Sequence, residues 1–333
     1  MSIKTYREAI NEALLQEMKK DENVVVIGED VAGGAGTNGE QDAWGGVLGV
    51  TKGLLKHFGR ERIIDTPITE TAIMGMASGA ALTGLRPVAE LMFVDFMGVC
   101  FDQILNQTAK FRYMFGGKAV TPLTIRTMYG GGLRAASQHS QCLYPMFTHV
   151  PGIKVVLPSN PYDAKGLLIQ SIRDNDPVIF MEHKNLYDTS GDVPDESYSI
   201  PFGEANFTRE GKDLTFIAMG QTVEICNNVA DTLKKEGKTC TVLDLRTLSP
   251  LDEDSILEAA EETGKVVIVD ESYPRCNVAT DISALICQNS FDSLKAGIKM
   301  VTPPHTPVPF SPPLEDLYLP SEEKVINAAK EIL

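Results

Sequence analysis

The chain is 333 residues long, 43% hydrophobic and 23% charged, with a formal net charge of −15. That length supports two domains with their own cores, and the acidic balance argues against nucleic acid or an anionic membrane as partner. No apolar run reaches membrane-spanning length. The six cysteines (Cys100, Cys142, Cys226, Cys240, Cys276 and Cys287) include no C-x-x-C pair. This spacing argues against a zinc site or a disulfide frame, and with an N-terminus lacking an apolar signal region it points to a reducing, cytoplasmic setting.

Residues 5–20 read as an amphipathic helix with Ala9, Ile10, Ala13, Leu14 and Met18 on its apolar face. Residues 23–27 form the continuous apolar run of a buried parallel strand, ending at Gly28-Glu29-Asp30. The glycine-rich stretch 32–49, which contains the single tryptophan, Trp44, is too long for a simple connection and reads as a functional loop or lid. A helix over 51–58, a strand at 63–64, a glycine-rich helix from residue 70, a strand over 86–91 and a helix over 95–113 follow. Strands over 123–126, 154–157 and 178–182 and a helix over 161–173 complete an alternation that predicts a mostly parallel sheet covered on both faces. Residues 184–212 are polar and contain Gly191, Pro194, Pro201 and Gly211, so they read as a linker. A second alternating unit has strands over 214–218, 240–244 and 266–270 and helices over 222–236, 252–261 and 278–288. The seven prolines in 303–320 argue against regular structure there, and a terminal helix over 321–332 closes the unit.

Ligands of open parallel sheets bind beyond the carboxyl ends of the strands, and three stretches place ionisable groups there: Glu29 and Asp30, Glu70, and His139 in the loop 130–141. Pro67 biases Thr66 toward extended structure, and Thr69 is placed as N-cap of a helix starting at Glu70 or Thr71. In that helix Ala72, Gly75, Gly79 and Thr83 share one face. An interior glycine costs about 1 kcal/mol relative to alanine, so the pair points to another backbone lying close. On pattern alone, a surface glutamate favoured by the helix dipole is the leading reading of Glu70. His139 has the pKa range for proton transfer near neutral pH, and reads equally as a loop histidine satisfied by backbone. His149 reads as structural; His57, His183 and His305 lack supporting context. Phe93, Phe96 and Phe101 read by default as core residues, and Glu29 and Asp30 equally as a strand-end pair.

Absent motifs also decide something. The chain has no G-x-G-x-x-G after a first strand, no G-x-x-x-x-G-K-[ST], no G-x-S-x-G and no H-E-x-x-H. Nicotinamide dehydrogenases, nucleotide kinases and serine hydrolases lose support. Carboxylates and a histidine without a means of holding a diphosphate suggest half of a shared site.

With those residues in hand, the chain closely resembles the beta subunits of the thiamine-diphosphate-dependent first component of 2-oxo-acid dehydrogenase complexes. The carriers run from end to end: Val-Ile-Gly-Glu-Asp-Val31, Arg-Ile-Ile-Asp-Thr-Pro-Ile-Thr-Glu70, Phe-Val-Asp-Phe96, Gln-His-Ser-Gln141, Pro-Gly-Ile-Lys-Val-Val156, Asp-Ala-Lys-Gly-Leu-Leu168 and Leu-Asp-Leu-Arg-Thr-Leu-Ser-Pro250. The extended loop from Asp42 to Gly53 and Glu182-His-Lys-Asn-Leu-Tyr187 look like the acetoin dehydrogenase branch.

The resemblance implies an α/β fold: a transketolase-like, thiamine-diphosphate-binding pyrimidine domain with a parallel sheet over 1–190, a linker over 191–212, and a transketolase C-terminal-like domain over 213–333. It implies a heterotetramer of two alpha and two beta chains, with the diphosphate and its magnesium held mainly by the alpha subunit, and a lipoyl-bearing dihydrolipoyl acyltransferase core as further partner. Glu70 falls on the catalytic glutamate, whose carboxylate hydrogen-bonds the pyrimidine nitrogen of the cofactor. Glu29 falls on a second acidic position with a proton-relay role, and Ile68 and Phe96 on cofactor-binding positions. Phe96 is often tyrosine in relatives and here keeps the packing without the hydroxyl. His139 falls on the histidine near the reacting carbon, serving proton transfer during acyl transfer to lipoamide. Leu123, Thr124, Ser171, Asp174 and Asp176 fall on the positions of a structural potassium ion. The expected reaction is cleavage of acetoin. Alternatives are a pyruvate or branched-chain 2-oxo-acid dehydrogenase beta chain, and a non-catalytic scaffold for the alpha subunit. The chain departs from many relatives at Cys276-Asn277, where they have a glycine pair.

Overall fold

Residues 1–33 and 45–333 are described in the computed structural model; Trp44 and most of the glycine loop expected over 32–49 lie outside them. The first half contributes strands β1 (Ser2–Thr5), β2 (Val24–Glu29), β3 (Ile63–Thr66), β4 (Arg86–Phe93), β5 (Thr124–Tyr129), β6 (Lys154–Val156), β7 (Val178–His183) and β8 (Ser190–Val193). The second contributes β9 (Asn206–Arg209), β10 (Leu214–Ala218), β11 (Cys240–Asp244), β12 (Thr247–Ser249), β13 (Val266–Val269) and β14 (Lys299–Val301).

Seven strands form the main sheet in the order β12-β6-β7-β5-β4-β2-β3, parallel except for the antiparallel edge strand β12. A five-stranded sheet, β14-β13-β10-β11-β9, forms the second layer system, parallel except for β9. The expected alternation therefore yields two helix-covered α/β sheets. Central strands of both read as unbroken apolar runs because both faces are covered: β10, β11 and β13 are buried throughout.

Helix Tyr6–Lys20 begins with a capping box between Thr5 and Glu8 and buries the apolar face read from its spacing. Its one buried carboxylate, Glu17, pairs with Arg173 at 2.6 and 2.7 Å, joining it to helix Pro161–Arg173.

Five expectations need correction. Residues 51–53 are not helical: Gly53 has φ +86°, a left-handed conformation that ends a helix, so the helix runs Leu54–Phe58. Residues 95–113 are not one helix but a 3-10 turn (Val94–Phe96), an α-helix (Met97–Asp102), a π-helical turn (Gln103–Thr108) and a short helix (Phe111–Met114). The Thr108 hydroxyl caps the carbonyl of Gln103 at 2.8 Å across the widened turn. The polar stretch read as a linker supplies β8, which pairs antiparallel with β1, and β9, an edge of the second sheet. The proline-rich segment contains helix Pro312–Tyr318, because two prolines at its first positions need no amide donor. His149 is exposed at the end of helix Tyr144–Thr148 rather than packed against a strand.

The two halves are not independent. One apolar cluster runs from Ile27, Leu91 and Tyr144 to Ile217, Leu243 and Ile268, crossing from one half to the other. Strand β12 carries the same seam into the main sheet.

Candidate active site

Glu29, Glu70, Phe96 and His139 all lie at or just past the carboxyl ends of parallel strands of the main sheet, where the topology opens a crevice. Glu29 ends β2 and sits in register with Thr66 of β3. The chain then turns through Pro67 and Ile68 into helix Glu70–Leu82, with Thr69 at the N-cap position. The Thr69 hydroxyl makes no cap bond, so the head of the helix is held otherwise: Ile73 N–H donates to the Thr69 carbonyl at 3.0 Å, and Thr71 Oγ1 donates to the Val99 carbonyl at 2.7 Å. The second bond ties the residue next to Glu70 to the helix that starts directly after Phe96.

Among the described residues the Glu70 carboxylate makes no hydrogen bond and no ion pair, while its charge is felt by its neighbours. Burial, then Asp30 and then Glu70 hold the Glu29 carboxyl above the usual carboxylate range. Burial and Glu70 push the Cys100 thiol up to about 12. Carboxylates at close quarters favour retention of a proton on one of them, as a site that passes protons requires. Beside them Ile68 is 74% exposed, a large apolar side chain left uncovered by its own chain.

His139 lies on the far side of the crevice. Its ring meets Phe93 and Phe96 edge-on, at 4.9 and 5.3 Å between centroids. Its backbone carbonyl accepts from Lys184 Nζ. Burial lowers the Lys184 ammonium pKa, and nearby Asp95 is the foremost opposing influence. Asp95 Oδ1 also accepts from the amide and side-chain nitrogen of Gln141 at 3.2 and 2.9 Å, while Asp95 Oδ2 is buried without a partner among the described residues. Phe96 is half-buried and packs against the apolar core from its edge.

Several residues of the site were not singled out from the sequence. Asp95 lay inside a quoted motif between two aromatics, which was its signal. His183, set aside for lack of context, is fully buried: its Nε2 is 2.8 Å from Glu271 Oε2, and its Nδ1 accepts from Asn185 N at 3.2 Å. Burial pushes the Glu271 carboxyl up, but the His183 pair and the Gly131 amide outweigh it and hold it below the usual range. Glu271 and Glu315 come from the other half of the chain, and no sequence spacing announces that.

The fit of a thiamine-type pyrimidine follows from these observations. A carboxylate with no internal partner can accept from, or share a proton with, a ring nitrogen. Phe96 and Ile68 supply apolar surface for a flat ring, and Asp95 Oδ2 is an unused buried acceptor. No group of three or more His, Cys, Asp or Glu side chains able to hold a metal occurs among the described residues. The positions implied for potassium cluster at the start of β5 and the end of helix Pro161–Arg173. Their carbonyls are already engaged: Leu123 O accepts from Val178 N at 2.9 Å, Ser171 O from Asp174 N at 3.3 Å, and Asp174 O from Arg86 Nη1 at 2.9 Å. The Asp174 and Asp176 carboxylates pair with Lys154 and Arg112. Each carbonyl keeps a second lone pair, so an ion there would share its ligands with a guanidinium.

The glycine-rich helix is where sequence and structure diverge in an informative way. The face carrying Thr71, Ala72, Gly75, Met76 and Gly79 is exposed. A β-carbon on Gly79 would meet nothing within 4 Å, and one on Gly75 would meet only Gln103 Cγ at 3.6 Å. Among the described residues no backbone makes the close approach the glycines suggest.

Comparison with known proteins places these features. Residues 3–189 match the transketolase pyrimidine binding domain and residues 203–325 the transketolase C-terminal domain. The chain is 63% identical over 325 residues to the beta subunit of acetoin:2,6-dichlorophenolindophenol oxidoreductase from Cupriavidus necator, covering 98% of this chain and 96% of that one. Against the protein of the same description from Bacillus subtilis it is 58% identical over 328 residues, with 98% and 96% covered. A solved split-gene transketolase, described as an inactive beta4 tetramer, has the same fold at a TM-score of 0.78 and 20% identity, with 98% and 97% covered. The chain therefore belongs to the beta subunits of the thiamine-diphosphate-dependent first component of 2-oxo-acid dehydrogenase complexes, on the branch of the acetoin oxidoreductases.

Proposed function

We propose that this chain, assembled with an alpha subunit as two alpha and two beta chains, cleaves acetoin, releases acetaldehyde and passes the remaining two-carbon unit as an acetyl group to lipoamide on a dihydrolipoyl acyltransferase. The lipoyl disulfide is the oxidant: one sulfur takes the acetyl group and the other is reduced to a thiol. Bound thiamine diphosphate supplies a nucleophilic carbon and an electron sink for the carbon–carbon cleavage. The alpha subunit holds its diphosphate and magnesium.

This chain's part is the pyrimidine end and the proton traffic. Glu70 bonds the pyrimidine nitrogen and exchanges a proton with it. Glu29, held above the usual carboxylate range by burial and by its acidic neighbours, is the second acidic group beside it and relays protons. Phe96 and Ile68 pack the ring and exclude water. His139, set against two phenylalanine rings, gives or takes the proton of the reacting oxygen during transfer to lipoamide. A structural potassium ion at Leu123, Thr124, Ser171, Asp174 and Asp176 is part of the same proposal and enters no step.

The observation that carries the reading is the Glu70 carboxylate, which has no partner among the described residues and stands at the carboxyl end of a parallel sheet beside exposed Ile68. The test is substrate choice. The reconstituted alpha–beta pair, with thiamine diphosphate, magnesium and an artificial electron acceptor, is offered acetoin and pyruvate. Faster turnover of acetoin is expected; faster turnover of pyruvate rejects the assignment. The beta chain alone should bind the cofactor weakly, because the phosphate-holding half of the site is elsewhere.

A further inference from the structure

The loop between Gly130 and Gln141 is gripped by the opposite half of the chain from Gly131 to Ser137. Gly131 N–H donates to Glu271 Oε1 at 2.7 Å. Gly132 N–H donates to Glu315 Oε1, also at 2.7 Å, and Arg134 Nη1 donates to Glu315 Oε2 at 3.0 Å. Arg134 further reaches Asp316 Oδ1 at 2.6 Å and the Pro312 carbonyl at 3.1 Å. Ser137 Oγ donates to the Val308 carbonyl at 2.6 Å. Every acceptor after Glu271 belongs to the proline-rich segment 303–320, whose short helix carries Glu315 and Asp316.

Glu315 is 0% exposed. A carboxylate so buried is costly unless fully paired, and the partners shown for it, the Gly132 amide and the Arg134 guanidinium, both belong to the loop. The groups that satisfy the buried Glu315 side chain are therefore the groups that form the loop. The loop needs fixing: Arg134 and Ala136 hold left-handed φ angles of +59° and +62°, conformations that persist only where the surroundings over-determine them.

The geometry points to Glu315 as a positioning residue for His139, acting through Gly132 and Arg134, with segment 303–320 serving as a strap across the histidine loop. This rests on the role proposed above for His139. The strap fixes the backbone up to Ser137, and Lys184 fixes the carbonyl of His139 itself. The imidazole is thereby held against Phe93 and Phe96 by a segment remote in sequence.

The test uses the alpha–beta assembly loaded with thiamine diphosphate and magnesium and compares Glu315→Gln, Arg134→Ala, His139→Ala and the His139→Ala/Glu315→Gln double variant. Glu315→Gln keeps an acceptor for Gly132 and loses the charge; Arg134 is partly exposed, so its replacement tests the strap should the Glu315 variant fail to fold. The first two should each slow lipoamide-linked turnover on the order of tenfold, within the range that a small misplacement of a reacting group produces. The double variant should be no slower than His139→Ala alone, since both changes act through one group. Deuterium uptake should rise in residues 130–141 and not across the C-terminal half. Multiplied losses in the double variant, or unchanged exchange in the loop, overturn the strap. Normal turnover in His139→Ala removes the histidine's proposed role and the strap with it. A slow His139→Ala beside normal Glu315→Gln and Arg134→Ala overturns the strap alone.

Discussion

On one flank of the crevice, helix Glu70–Leu82 turns an apolar, small-residue face outward, with Ile68 74%, Met76 52% and nearby Val99 62% exposed. On the other, the seam between the two halves of the chain buries carboxylates and satisfies them across it: Asp244 with Ser159, Asp270 with Tyr144, Glu271 with His183 and Gly131, Glu315 with Gly132 and Arg134. With the outward face taken as the proposed subunit contact, the difference separates what a chain completes by itself from what it leaves to a partner. A seam inside one chain forms on folding, so costly buried charges can be paired there once and for all. A face that must meet another chain stays apolar and unpaired until it does.

The largest expected effect comes from Glu70→Gln. It keeps the shape and removes the proton-accepting charge, so turnover of the assembled enzyme should fall on the order of 10³-fold, about 4 kcal/mol of barrier, while size-exclusion chromatography still shows alpha–beta assembly. Near-normal turnover would reduce the chain to a scaffold and erase the functional half of the contrast.

A smaller effect is expected from Gly79→Ala. The added methyl group meets nothing within 4 Å among the described residues, so thermal unfolding of the beta chain should show stabilisation of up to about 1 kcal/mol from helix propensity alone. Association with the alpha subunit should weaken. A stabilised chain that assembles as tightly as before shows that this face is not the contact.

A pH-dependent effect belongs to the seam. Burial, and then Asp163, push the Asp244 carboxyl up to about 7 from a usual value of 3.8. The folded state thus holds this proton more tightly than the unfolded state. The resulting stabilisation is complete below pH 3.8 and is lost as pH rises through about 7. Asp244→Asn removes that loss. In urea unfolding from pH 5 to pH 8, the variant should gain on the parent chain as pH rises; a constant difference shows that the seam does not carry this titration.

Much of the fold was legible because it rests on short-range pattern. The boundaries of β10, β11 and helix Pro161–Arg173 match the ranges read from the sequence. Helix 95–113 was misread because apolar spacing does not report the π-helical turn at Gln103–Thr108, and the linker because β8 and β9 are edge strands whose partners are remote in sequence. At the site, Pro67 and Thr69 placed Glu70 at the head of a helix, and a role for it came only from the family resemblance. His183, Glu271 and Glu315 were not, since each acquires meaning only from a residue 88, 140 or 183 positions away.

By itself the sequence determined the two α/β units, the strands whose ends carry acidic residues, the missing phosphate loop and the family. These depend on periodicity, turn chemistry and ordered motifs, which are properties of neighbouring residues. Tertiary structure alone decided that the proline-rich segment grips the His139 loop, that the two halves share one core, and that the glycine face is left open. Those facts depend on which distant groups meet once apolar surface is buried, and on whether each buried charge finds its partner inside the chain.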